Sequence, residues 1–329
     1  MNAPQPMIVS RNSGVAGPRA VAAKAALPRR MPDRSGAKLD ESGTILVIYN
    51  PTAGRRRRGR FQRTLRALAR KGCRVTVRET SAAGEARIFA RDSIGNGFAA
   101  IVVAGGDGTI NEVAGVLAGS DEILGIIPLG TANVLAAEIG VSTNPEQIAS
   151  VIAGDKRKSI RIGEISNRRF VMMAGVGFDA QVVAGVTPGL KRLTGKFAYV
   201  AATLSEFIHH KPARLRLTLD GVEMSAASAV IANGHYYAGR FVLAPDARLE
   251  EAAFHVCLFE RSGRWNVLRY ALAMALGTIS RLPDVRIVKA GSGVIHSSEN
   301  EPVQADGDIV GKTPIAFALS PGSLSMLVP

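Results

Sequence analysis

The sequence predicts two architectures in succession: a parallel, Rossmann-like α/β domain and then an antiparallel β-sandwich. Three observations carry this. Twice, at 101–117 and 123–139, a short apolar run leads into a glycine turn and then into apolar residues at helical spacing, the pattern of a buried parallel strand feeding a helix. From about Lys158 that pattern gives way to short alternating runs, which suit an antiparallel sheet with one buried face. Finally, 329 residues at 47% hydrophobic composition suffice for two cores. The expected divisions are 1–42 as a disordered basic tail, 43–160 as the α/β domain and 161–318 as the sandwich.

The first 42 residues are rich in Ala, Pro, Arg and Ser without periodicity, so they cannot bury enough apolar surface to offset the entropy of ordering. Thr44 to Tyr49 reads as the first strand, closed by the turn Asn50-Pro51-Thr52-Ala53-Gly54. A helix follows with Phe61, Leu65, Leu68 and Ala69 on one face, preceded by Arg55 to Arg58 and flanked by Arg60, Arg63, Arg66, Arg70 and Lys71. That basic run is either a solvated face or a docking surface for an anionic membrane, and Arg55 is placed to reach a phosphate. Arg74 to Glu79 alternates as a second strand and ends at Thr80, before a helix from Glu85 to Asp92. Read from its position alone, Thr80 is a helix cap.

The centre of the chain is Ile101-Val-Val-Ala104-Gly105-Gly106-Asp107-Gly108-Thr109-Ile110-Asn111-Glu112. Apolar Ile110, Val113, Ala114 and Leu117 make a helix opened at Thr109. The glycines allow close backbone approach, and a strand–turn–helix unit aims N–H groups and a positive helix end at one point, which suits phosphate. Asp107 inside such a cradle calls for a cation or a proton donor beside it. The dinucleotide fingerprint fails, because Asn111 stands where its third glycine belongs. The P-loop fails too, since Gly54 to Phe61 lacks the lysine and the hydroxyl. Ile123 to Ile127 and Pro128-Leu129-Gly130-Thr131-Ala132-Asn133 repeat the design ahead of a helix from Val134 to Ile139. Two such turns at neighbouring strand ends converge on one crevice.

The sandwich strands are read at Ser159–Ile165, Phe170–Ala174, Arg214–Leu219, Ala227–Ala232, Phe254–Phe259 and Val285–Val288, with Asp220-Gly221 as a hairpin turn. Helices are expected near 180–185, 195–209 and 265–279, and a last strand at Ser323 to Val328. The 265–279 stretch is interrupted by Arg269, which makes it an amphipathic helix and not a membrane span. Lys191 to Lys196 is a basic loop, and Asp306-Gly307-Asp308 an Asp-Gly turn with a second carboxylate two residues on.

Lys plus Arg number 41 against 27 Asp plus Glu, a net charge of +14, which favours anionic partners. With 5% aromatics and no aromatic-rich basic stretch, nucleic acid ranks below a lipid surface or a nucleotide. Two distant cysteines, Cys73 and Cys257, allow no disulfide framework or zinc site and fit a cytosolic compartment. No HExxH histidine spacing and no GxSxG elbow occurs.

The run Gly105 to Thr109 with Asn111-Glu112, the turn Gly130-Thr131-x-Asn133 and the late Asp306-Gly307-Asp308 occur in the order found in lipid kinases of the diacylglycerol and sphingosine (ceramide) kinase type, and the chain resembles that family over about residues 43 to 329. The resemblance implies ATP-dependent phosphorylation of a lipid hydroxyl. It implies that Asn50, Thr52, Thr80, Gly105, Gly106, Gly108, Thr109, Glu112, Gly130, Thr131 and Arg192 hold ATP, that Asp179 in Gly177-Phe178-Asp179 holds the lipid head group, and that Arg192 and Lys196 offset charge on the moving phosphoryl. It gives Mg²⁺ to Asp306 and Asp107, and the base to Asp308 or Asp107. Two departures are notable: Asp308 stands where the family usually has Glu, and Val134 where many bacterial diacylglycerol kinases have Asp, which tilts the turn toward the sphingolipid pattern. The final strands, about 319–329, are implied to return to the first domain. The expected partner is a lipid substrate at an anionic membrane surface, met by a cytoplasmic, peripherally bound enzyme, with room for a homodimer. A NAD kinase-like enzyme and a non-catalytic lipid or nucleotide binder are the alternatives.

Overall fold

The computed structural model describes residues 43–53, 57–177, 180 and 214–329. The N-terminal tail, the helices expected near 180–185 and 195–209, and Arg55, Asp179, Arg192 and Lys196 lie outside the described residues.

Six strands form the first sheet. β1 (Thr44–Tyr49), β2 (Arg74–Glu79), β3 (Ala100–Gly105) and β4 (Ile123–Pro128) are parallel, β20 (Leu324–Leu327) lies parallel beside β4, and β5 (Arg157–Ile160) closes the edge antiparallel, in the order β2-β1-β3-β4-β20-β5. β1 and β3 are buried along nearly their whole length, as expected for strands covered on both faces. The covering helices are α1 (Arg58–Arg70), α2 (Glu85–Ser93), α3 (Asp107–Leu117), α4 (Val134–Glu138) and α5 (Pro145–Ala153). On α1 the core face is Phe61, Thr64, Ala67 and Leu68, while Ala69 points to solvent. A threonine can sit there because Thr64 Oγ1 donates to Arg60 O at 3.0 Å, which satisfies the hydroxyl within the helix.

Two further six-stranded antiparallel sheets make the second domain. The first runs β10 (Val222–Ala226), β9 (Leu215–Leu219), β16 (Ser292–Ser297), β19 (Ile315–Leu319), β6 (Gly163–Ile165), β7 (Arg168–Phe170). The second runs β15 (Val285–Ala290), β14 (Phe254–Phe259), β11 (Ser228–Ala232), β8 (Met173–Val176), β17 (Pro302–Ala305), β18 (Asp308–Lys312). Their inner faces share one apolar core, with Phe254 between Phe170 (5.4 Å) and Phe317 (5.8 Å). The outer face of the second sheet is buried again, by Tyr270 and Ala273 of α6 (Arg264–Ala275) and by Ile279 against Val230, Cys257 and Phe259.

Two runs that read as single strands are split, and each split has a cause. Ser159–Ile165 divides at Arg161-Ile162 because β5 belongs to the first sheet and β6 to the second domain. Phe170–Ala174 divides at Val171-Met172, whose N–H groups leave the ladder for the carboxylate of Asp306. Asp220-Gly221 and Asp306-Gly307 both have positive φ at both residues (44° and 88°, 49° and 87°), the geometry that matches strand twist in a two-residue hairpin.

Candidate active site

In the order β2-β1-β3-β4, the connections leave β1 in opposite directions, so the crevice outside the carboxyl ends of β1 and β3 is the natural ligand site. The turns after β1, β2, β3 and β4 all open on that edge because those strands are parallel. Asn50, Thr52, Thr80, Gly105 to Thr109, Gly130 and Thr131 therefore share one rim.

At β1, the ring of Tyr49 stacks on Phe61 of α1 at 3.9 Å, which holds the strand end. Asn50 N donates to Ala104 O at 2.9 Å, and its side-chain Nδ2 donates to Thr109 Oγ1 at 2.9 Å. Asn50 Oδ1 accepts from the Thr52 N–H (3.0 Å) and hydroxyl (2.8 Å). One amide thus ties the first turn to the start of α3. Thr80 is buried and donates from its hydroxyl to Tyr49 O at 3.4 Å. It is not a helix cap, since Gly84 occupies that position on α2. Glu112 Oε1 accepts from Gly84 N at 3.2 Å, so it pins α2 against α3.

α3 begins at Asp107, two residues before Thr109, which puts the carboxylate in the first helical turn. There it meets the positive end of its own helix. Its partners are two backbone donors: Asp107 Oδ2 accepts from Asn133 N at 2.9 Å, and Oδ1 accepts from Val134 N at 2.6 Å. Those N–H groups open α4 and have no intrahelical acceptor. Asn133, at φ 48°, folds back so that its Oδ1 accepts from Gly130 N (2.9 Å) and its Nδ2 donates to Gly130 O (2.8 Å). Leu129 N and Gly130 N both donate to Gly105 O.

The glycines are required by contact. A Cβ on Gly130 would lie 2.6 Å from Gly106 Cα, and one on Gly105 would lie 2.8 Å from Thr109 Cβ. Gly108 faces open space, so the helix start stays accessible there. Arg57 and Arg60 buttress the second turn, donating to Leu129 O (3.1 Å) and Pro128 O (3.0 Å). Part of the basic run on α1 is therefore structural. Burial, with Arg57 and Arg63 nearby, lowers the Arg60 pKa.

The second domain contributes the β17–β18 hairpin. Asp306 Oδ2 accepts from Val171 N at 2.6 Å, and Oδ1 accepts from Met172 N (2.9 Å) and Met173 N (3.0 Å). Burial pushes its pKa up to about 6, against the pull of those three N–H groups, and the Asp107 carboxylate adds to the rise. The comparison with Asp220 is informative. It occupies the same turn position and accepts from Gly291 N and Ser292 N, yet, being exposed, its pKa is lowered by those bonds. Asp308 is exposed at the start of β18.

Two features escaped the sequence reading. Glu138, the last residue of α4, accepts from His235 N (3.0 Å) and Tyr236 N (3.1 Å) and lies 2.6 Å from His235 Nδ1. Arg169 of β7 donates to Gly115 O and Ala118 O at the end of α3, where a cation suits the helix dipole. Both contacts join the domains, and no local spacing in the sequence signals either. Cys257 is fully buried, which pushes its thiol up to about 12, so it packs as an apolar group.

Residues 44–165 match the diacylglycerol kinase catalytic domain, and 172–328 match the YegS C-terminal, NAD kinase β-sandwich-like domain. The chain thus carries a diacylglycerol kinase catalytic domain followed by a YegS-type C-terminal domain. It is a lipid kinase, and the catalytic domain carries the use of ATP. It is 28% identical over 296 residues to a Pseudomonas aeruginosa protein named probable lipid kinase YegS-like, across 88% of this chain and 96% of that one. It is 28% identical over 299 residues to a Mycobacterium tuberculosis protein named diacylglycerol kinase, with the same coverages of 88% and 96%. A crystal structure of a diacylglycerol kinase from Bacillus anthracis matches with a TM-score of 0.68 and 22% identity, covering 87% of this chain and 97% of that one; this supports the fold. Among the described residues of this lipid kinase, no helix is long and apolar enough to cross a membrane, and no three acidic, His or Cys groups gather as a metal site.

Proposed function

We propose that this lipid kinase transfers the γ-phosphoryl of ATP to the hydroxyl of diacylglycerol. The observation that carries this is the place of Asp107: it joins the two glycine turns at the carboxyl edge of the parallel sheet, and its charge is felt by Asp306 of the sandwich hairpin. ATP phosphates lie against Gly106, Gly108 and Thr109 and the exposed Thr131, with Asn50 and Thr52 fixing the opposite wall; Thr80 and Glu112 shape the floor. Positioning and electrostatics provide most of the rate in phosphoryl transfer.

Asp107 and Asp306 fit Mg²⁺ arriving with the nucleotide. Each oxygen of Asp107 accepts one N–H and keeps a lone pair, and a cation held by these carboxylates would relieve the repulsion by which Asp107 raises the Asp306 pKa. A site with few protein ligands suits Mg²⁺, which keeps waters and substrate phosphates in its shell. When bound, Mg²⁺ neutralises phosphate charge. Asp306, held by three N–H groups, docks the hairpin on β8 and so fixes Asp308 two residues on. Asp308 takes the proton of the acceptor hydroxyl, with Asp107 as the second candidate. Arg192 and Asp179 keep the roles that the family resemblance implies, toward the phosphoryl and the lipid head group.

Diacylglycerol is chosen over a sphingoid base because the relatives named diacylglycerol kinase align over 82–88% of this chain. The tilt given by Val134 loses weight, since that side chain is buried and only its N–H serves the site. Labelled ATP incubated with diacylglycerol, ceramide, a sphingoid base and NAD is expected to label diacylglycerol first. Label in NAD, or in none of the four, overturns the proposal.

A further inference from the structure

We infer that the outer face of α6 is the surface by which this enzyme docks on an anionic lipid bilayer. The helix is apolar on two faces. Val267, Tyr270 and Ala273 face the sandwich, while Leu268 (51% exposed), Leu272 (59%) and Leu276 (68%) form a solvent-facing stripe that Trp265 (71%) extends. A helix apolar all round is ordinarily buried all round, and a contiguous exposed apolar patch marks an interaction site. The stripe continues onto β13 (Phe241–Val242), which packs against α6 and carries Phe241, 45% exposed. β13 pairs with β12 (Tyr236–Tyr237), which packs on α4, the helix capped by Asp107. The apolar surface thus connects through one hairpin to the catalytic edge.

The charge around the stripe selects its occupant. Arg240, Arg264 and Arg281 are exposed at its borders, and no Asp or Glu occurs between Arg261 and Pro283. An apolar face with an aromatic residue and a cationic rim is complementary to acyl chains beneath anionic head groups. A second copy of the chain would bring the same arginines against each other, on a molecule of net charge +14. The inference rests on the reading that the acceptor is a membrane lipid, but its test needs no turnover.

Trp265 is the sole tryptophan of the chain, so its emission reports this face directly. Added phosphatidylcholine–phosphatidylglycerol vesicles are expected to shift that emission to the blue and to co-sediment the full chain, with at least tenfold weaker binding to phosphatidylcholine alone. The double variant Leu268→Asp/Leu272→Asp is expected to lose vesicle binding at least tenfold while its circular dichroism and its turnover of dissolved dioctanoylglycerol stay unchanged. Arg264→Glu/Arg281→Glu, which leaves the apolar stripe intact, is expected to abolish the preference for anionic vesicles. An unshifted Trp265 emission, undiminished binding by either variant, or a wild-type dimer that the leucine variant dissociates would each overturn the inference. Intact docking with no labelled lipid would instead sink the assignment of function and leave the docking surface standing.

Discussion

Asp107 looked from sequence like a carboxylate in the wrong place, and its two N–H partners explain why it is tolerated. Its carboxylate accepts from donors that are themselves orphaned at a helix start. Asp107→Asn replaces one acceptor with a donor facing an N–H, a loss of about 1–3 kcal/mol in stability. The protein is expected to stay folded by circular dichroism while the rate of lipid phosphorylation falls about 10²–10⁴-fold. Asp308→Asn is expected to lower turnover similarly. Equal turnover to wild type in both variants rules out both assignments. Asp306 gives a pH signature. Its folded pKa of about 6 lies above the ordinary carboxylate value, so between about pH 4 and 6 the folded chain binds more protons than the unfolded one. Its contribution to stability is full below the unfolded pKa and is lost as pH rises through about 6. The same ionisation restores the anion that attracts a cation, so kcat/KM is expected to rise through pH 6. In Asp306→Asn both slopes should flatten; unaltered profiles would assign the titration elsewhere.

The paired glycine turns act as one element. The two turns meet backbone to backbone, Gly106 against Gly130, locked by Leu129 and Gly130 N–H groups on Gly105 O. Gly130→Ala must push the turns apart, since its Cβ would sit 2.6 Å from Gly106 Cα. A loss of about 1–3 kcal/mol is expected in urea unfolding, together with a raised KM for ATP. α4 is the complementary element. One end is capped by Asp107 and the other accepts N–H groups of the second domain through Glu138, so the nucleotide turn and the sandwich are coupled through a five-residue helix.

At the scale of the molecule, the chain crosses between the domains and comes back. β20, the last strand, lies inside the first sheet between β4 and β5, and its Leu324, Met326 and Leu327 are fully buried. Removing residues 324–329 strips a central strand and exposes two sheet edges at once. The truncated chain is expected to lose its cooperative thermal transition, whereas a tail with no part in the core would leave it intact. The return of the strand also keeps the β17–β18 hairpin, which carries Asp306 and Asp308, less than twenty residues upstream of a strand of the first sheet.

The local pieces of this protein were legible from neighbouring residues alone. Apolar runs before glycine turns located β1, β3 and β4, Asp-Gly dipeptides located two hairpins, and motif order pointed to a lipid kinase, because each of these signals is set by residues within one turn or strand. The rim residues around Gly105–Thr109 and Gly130–Asn133 were legible for the same reason. The partners across distance became visible in the folded chain alone. Asp107 meets Val134, Asp306 meets Val171 to Met173, Glu138 meets His235, and Thr64 takes a core position left to Ala69 in the helical reading. The splitting of two predicted strands belongs here as well. Hydrogen bonds made by a side chain 135 residues away outcompeted the ladder at Val171, and a backbone donor follows whichever acceptor the completed fold brings to it, something no window of neighbouring residues contains.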